Sequence, residues 1–119
     1  MITICGIKDC DVALYDEVWY ITNYTPNMKV GTFHHKELAP FIHDFLQYKN
    51  GNLNLSQLLQ NYGNALYAGY YDEAINDLST YAEDKWICLV CYCNSYTECH
   101  RGVLYNYLLA KKVPVQLLS

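Results

Sequence analysis

The sequence has no apolar run long enough to span a bilayer, which excludes a transmembrane helix. It has no cluster of lysine and arginine, and Arg101 is its only arginine. A protein that grips nucleic acid through phosphates needs a basic face. With a net charge of −4 at pH 7, this chain is not expected to bind nucleic acid. Charged residues make up 17% against 52% hydrophobic ones, a balance that excludes disorder and allows a real core. Proline is scarce, and Pro26, Pro40 and Pro114 each suit an element boundary. Repeats, linkers and low-complexity segments are missing. Residues Met1 to Cys5 lack the basic head and apolar stretch of a signal peptide, so a cytoplasmic location is expected.

What is present fits one domain of 119 residues. Six cysteines would suggest disulfides in a small secreted protein, but Cys88, Cys91 and Cys93 share one strand-like segment. Reduced thiols are therefore expected. Tyrosine is abundant, at 13 residues, and asparagine is frequent. That bias fits an AT-rich coding genome as readily as a function, and on that basis a bacterial or bacteriophage source is expected.

Read in order, residues 2–5 and 17–22 are strand-like, with turn chemistry at Gly6 to Asp11. Val30 to His35 reads as loop or short edge strand. Phe41, Ile42, Phe45 and Leu46 share one helical face after Pro40. Gly51 suits a left-handed cap, and Asn54 with Gln57 forms a capping-box pattern. Leu55, Leu58, Leu59, Tyr62 and Leu66 form the stripe of that second helix. Gly69 breaks the pattern, and 70–82 reads as a third helix with Ala74, Ile75, Leu78 and Tyr81 inward. Trp86 to Cys93 is an apolar strand, Cys99 to Lys111 a helix, and 113–118 a last strand whose Pro114 places it at an edge or a strand start. Strands separated by helices imply parallel pairing. The expected fold class is α/β: a small three-layer domain with a mostly parallel four-stranded sheet and a helical cap from residues 38–84.

The strand at 86–93, the polar loop and the helix starting at Cys99-His100-Arg101 make the candidate site, because α/β proteins hold ligands beyond the carboxyl ends of strands. A helix N-terminus and neighbouring cations favour a sulfur anion, so Cys99 is a candidate nucleophile with His100 as its acid–base partner; the alternative is a thiol that only packs. Arg101 can fork two hydrogen bonds to a phosphate or carboxylate, or pair with Glu98 or another carboxylate. The phosphatase pattern of cysteine, five residues, then arginine is absent for both Cys93 and Cys99. Cys88, Cys91, Cys93, Cys99 and His100 are zinc-type donors, but alternation along a strand turns Cys88 away from Cys91 and Cys93. No metal and no cofactor is expected. Tyr62, Tyr67, Tyr70 and Tyr71 surround a helix junction, where Tyr62 and Tyr70 would stack on a base or pack inward.

These residues carry a family resemblance. Leu38-Ala-Pro40, the Lys49-Asn-Gly51 turn, Leu53 to Leu55, Tyr62, Cys91-Tyr92 and above all Cys99-His100-Arg101 resemble the bacterial and phage family called domain of unknown function 488. Val18 to Thr22 followed by Pro26 resembles that family's second strand, and the likeness covers roughly residues 17–109. Members often carry arginine just after that strand, where this chain has Asn23, and an acidic residue after the strand cysteine, where it has Cys93. The arginine missing at Asn23 speaks against phosphate binding and the acid missing at Cys93 against acid–base catalysis, so the resemblance implies a fold and a site more than an activity.

The expected function is binding of a small anionic, nucleotide-like ligand by Asn23, Tyr62, Tyr70, Cys93, Cys99, His100 and Arg101. In a phage this would sequester a nucleotide immune signal in the host cytoplasm. A thiol-dependent enzyme using Cys99 and His100 is one alternative. A protein-interaction module is another, and pairing into a homodimer is open.

Overall fold

The computed structural model of the chain describes residues 1–24, 30–92 and 98–118. Five short strands, rich in isoleucine, valine and aromatic residues, pair entirely in parallel: β1 Ile2–Gly6, β2 Glu17–Tyr20, β3 Thr32–His34, β4 Ile87–Cys91 and β5 Val115–Leu118. Their order is β3-β2-β4-β1-β5. Ile2 pairs with Ile87 on one side and Val115 on the other, while Val18 lies between Thr32 and Cys88. The fifth strand, β3, is the segment whose sequence left loop and edge strand open. It does form an edge, and Pro114 leads directly into the opposite edge, β5.

Four helices follow from the periodic stretches: α1 Ile42–Lys49, α2 Leu55–Tyr67, α3 Asp72–Ala82 and α4 His100–Ala110. Asn54 caps α2 as a full capping box, accepting from the Gln57 N–H at 2.8 Å while the Gln57 side chain accepts from the Asn54 N–H at 2.9 Å. Gly51 and Gly69 take φ of 81° and 91° where α1 and α2 have ended, a region costly for other residues. Among the described residues no helix is long and apolar enough to cross a membrane.

Strand alternation divides the interior in two. Ile2, Ile4, Trp19, Ile21, Ile87, Leu89 and Cys91 point to the face packed against Leu66, Leu78, Leu104 and Leu108 of the helices. Cys5, Val18, Tyr20, Cys88 and Val90 point to the other, which is covered by Ile7, Cys10, Val12 and Tyr15. The α/β class is as expected, with five strands in place of the expected four, and the layer on this second face is a thin cover. The segment from 7 to 15 holds only two single 3-10 turns, Ile7–Asp9 and Val12–Leu14. Handedness explains the division. The connection from β1 to β2 runs along the sheet in one direction, and those from β3 to β4 and β4 to β5 run in the other. Right-handed crossovers then put them on opposite faces.

The helical block splits in a way its sequence did not announce. α2 and α3 bury Leu58, Tyr62, Leu66, Ile75 and Leu78. α1 has no buried residue, and Phe41, Ile42 and Leu46 stay exposed. Two phenols tie the preceding segment to this layer: Tyr62 Oη donates to the Leu38 carbonyl at 2.6 Å and Tyr71 Oη to the Ala39 carbonyl at 2.7 Å. Both bonds are buried, and burial holds the Tyr62 hydroxyl well above its ordinary pKa. Tyr62→Phe and Tyr71→Phe are each expected to lower stability by about 1–2 kcal/mol in urea unfolding, since each leaves a buried carbonyl without its donor.

Candidate functional site

β2 and β4 are neighbours, yet the chain leaves them in opposite directions, to β3 on one side and through α4 to β5 on the other. Such a divergence opens a crevice at the carboxyl ends of the strands. A cleft of about 570 Å³ lies there, within the range of small-molecule sites. Its floor and one side come from Thr22, Asn23 and Tyr24 after β2, from Cys91 and Tyr92 at the end of β4, and from Glu98, Cys99 and His100 at the start of α4. The opposite side is Phe45, Tyr48 and Lys49 of α1 with Leu55, Leu58 and Leu59 of α2. Of the apolar positions on α1 only Phe45 lines the cleft, beside Tyr48 and Lys49, while Ile42 and Leu46 are exposed outside it.

Local bonds fix the floor. His100 Nε2 lies 2.5 Å from the Ile21 carbonyl and His34 Nε2 lies 2.7 Å from the Thr22 carbonyl, so two imidazoles hold the chain leaving β2. The His100 ring meets the Tyr62 ring edge-on at 5.5 Å. Cys99 is the N-cap residue of α4, with Sγ 3.6 Å from His100 Nδ1 and 2.8 Å from Cys91 Sγ. Arg101 Nη1 donates to Cys91 Sγ at 3.1 Å from the interior side. Burial by itself would lower the guanidinium pKa, but the Cys91 and Cys99 sulfurs hold it above its ordinary value.

The arrangement brings together Asn23, Cys99 and His100 on the cleft wall, and adds Cys91. Three expectations are corrected. Arg101 is 0% exposed and lies behind Cys91, so it does not face the cleft. Tyr62 is 2% exposed, its hydroxyl committed to Leu38, and it supports His100 from behind. Tyr70 is 74% exposed and packs edge-on against Phe41, away from the cleft. Cys93 lies outside the described residues. Sequence reasoning passed over Tyr24, Phe45, Tyr48 and Lys49. The spacing of Phe45, Tyr48 and Lys49 along one helix was the available signal.

Burial lowers the His100 pKa below its ordinary 6.5, outweighing the opposing effects of Cys91 and the Ile21 carbonyl, and the Arg101 charge adds least. The fold therefore prefers neutral imidazole. The stability this supplies is complete above pH 6.5 and is lost as pH falls from there towards the lower folded value. The melting temperature is expected to drop between pH 7.5 and 5.5, and His100→Gln, which can still donate to Ile21, should flatten that drop.

No curated protein and no solved structure matches the chain. A family model does match, over residues 22–108, a span that begins where β2 has just ended and includes both walls of the cleft, the α4 start and the Cys99-His100-Arg101 triplet. The chain belongs to the family described as Domain of unknown function DUF488.

Proposed function

We propose that the chain binds a small anionic ligand carrying a flat ring, of nucleotide-like chemistry, in the cleft between β2, β4 and α1. The observation that carries this reading is the composition of the cleft walls. Phe45, Tyr48, Leu58 and Leu59 offer an apolar and aromatic surface on which a ring can stack. Lys49 adds a cation on the same wall, 5.4 Å from the centre of the Phe45 ring. The backbone N–H groups opening α4 favour an anion at the other end. Glu98 and Asn23 can bond ribose hydroxyls or base edges. Arg101 enters as a positive charge beneath the floor rather than as a direct contact.

A thermal-shift screen of nucleoside monophosphates, cyclic nucleotides and the parent nucleosides tests this. A nucleotide at about 100 times its Kd should add ~2.7 kcal/mol, seen as a clear rise in melting temperature. The parent nucleoside should give less, and Lys49→Ala should remove most of the difference. No response to any nucleotide, or an equal response to nucleoside, would overturn the reading. Ligand recovered intact after prolonged incubation supports sequestration, the role such a domain would serve against a nucleotide immune signal if phage-encoded. A second reading, a thiol-dependent enzyme, is favoured by the guanidinium directed at Cys91 Sγ, and altered ligand on recovery would select it.

A further inference from the structure

On the face of the sheet opposite the cleft, three thiols converge: Cys5 of β1, Cys88 of β4 and Cys10 from the segment that crosses over them. Cys5 Sγ lies 3.3 Å from Cys88 Sγ, Cys10 Sγ lies 3.8 Å from Cys88 Sγ, and all three sulfurs are within 4.8 Å of one another. The geometry points to a site for a soft, closed-shell metal ion, Cu(I) above all, held by Cys5, Cys10 and Cys88.

Three features of the cluster carry this. The first is size. A metal bonded to three sulfurs at ~2.3 Å sets them ~3.8–4.0 Å apart. The two measured edges and the limit on the third bracket that value, so small side-chain adjustments suffice. The second is donor type. Among the described residues no histidine or carboxylate joins the three sulfurs in the cluster. All-thiolate sets select soft ions, and zinc in structural sites takes four ligands. Three sulfurs without a fourth partner suit Cu(I), which accepts three. The third is access. Cys5 and Cys88 are wholly buried beside Val18 and Val90, while Cys10 is only half-buried and forms the way in. Strand pairing fixes the first two: Thr3 opposes Cys88 and Cys5 opposes Val90, which brings Cys5 diagonally next to Cys88. The turn Ile7–Asp9 then brings Cys10 above them. Binding would displace thiol protons to solvent, and no electron transfer is involved.

The test uses the full reduced chain, without oxygen, titrated with Cu(I) held by a competing chelator such as bathocuproine disulfonate. One equivalent should pass to the protein and give sulfur-to-copper charge-transfer absorption in the near ultraviolet, with three sulfur neighbours in X-ray absorption. Cys10→Ser removes only the half-buried ligand and should weaken retention by more than about 100-fold, beyond the loss that an outer-shell partner causes. The double variant Cys91→Ser/Cys99→Ser should retain copper as the parent does. Circular dichroism of Cys10→Ser checks that it folds; if it does not, the wild-type melting temperature must rise on copper loading for the proposal to stand. No transfer from the chelator overturns the site. Retention that survives in folded Cys10→Ser but is lost in the Cys91/Cys99 double variant also overturns it, by placing the metal at the cleft. Parallel titration with Zn(II) decides the ion: zinc bound in preference to copper overturns the three-coordinate assignment.

Discussion

Arg101→Ala is expected to remove about 3–5 kcal/mol of stability, lowering the melting temperature by ~10–20 °C for a chain of this size. The guanidinium is wholly buried, and its Nη1 donates to Cys91 Sγ. Alanine would leave a large void beside Leu104 and Leu108 and take the donor from the sulfur. Had Arg101 been a ligand contact on an open wall, the same change would have left the melting temperature nearly unchanged, as an exposed charge contributes little. Arg101→Lys keeps the charge but not the planar fork, and should fall between alanine and wild type. Ligand affinity measured well below the melting temperature should suffer less in Arg101→Ala than in Lys49→Ala, because only Lys49 is on the cleft wall. A fall smaller than about 2 °C in Arg101→Ala would refute the interior role.

The helical period already contained Arg101's direction. It stands three residues before Leu104 and seven before Leu108, on the stripe that α4 buries, just as Tyr62 stands between Leu58 and Leu66 on the stripe of α2. Chemistry drew these residues toward a ligand, while periodicity placed them inside. Strand alternation was a surer guide, since it separated Cys88 from Cys91 and the two faces do divide there. The capping box at Asn54 and the glycine breaks were legible because each rests on local geometry, and the parallel sheet because strands alternate with helices along the chain. The two faces of the sheet were not equally legible. The cover at 7–15 has no period, so nothing in its spacing reveals that Ile7, Cys10, Val12 and Tyr15 close a core. The cleft wall on α1 was not legible for a related reason, since an apolar residue such as Phe45 on a helix face reads the same whether it meets a sheet or a crevice. The meeting of Cys5 with Cys88, 83 residues apart, depends on strand register, which no short window carries.

Mild oxidation should join Cys91 to Cys99. Their sulfurs, at 2.8 Å, stand about 0.8 Å beyond disulfide bond length; both side chains are buried, at 1% exposure, just behind the cleft surface, so a small reagent reaches them when the cleft wall opens locally. Diamide would accept the two hydrogens across its N=N bond as the S–S bond forms. The Arg101 guanidinium beside Cys91 and the α4 N-terminus at Cys99 both favour the sulfur anion that begins the exchange. The cleanest experiment uses Cys10→Ser, in which Cys5 and Cys88 stay wholly buried without a half-exposed neighbour. Peptide mapping after brief treatment should find the Cys91–Cys99 link as the main product, and prior addition of a bound nucleotide should slow its formation by about tenfold or more if ligand fills the cleft. The crosslink in turn should weaken nucleotide binding, because it ties the end of β4 to the first turn of α4 across the floor. Cys91→Ser, which leaves Cys99 in place, should abolish the link while the fold is retained. A product mapping to Cys93, or no link at all at these two positions, would show that the cleft sulfurs do not act as a pair, and the thiol-dependent reading of the site would fall with it.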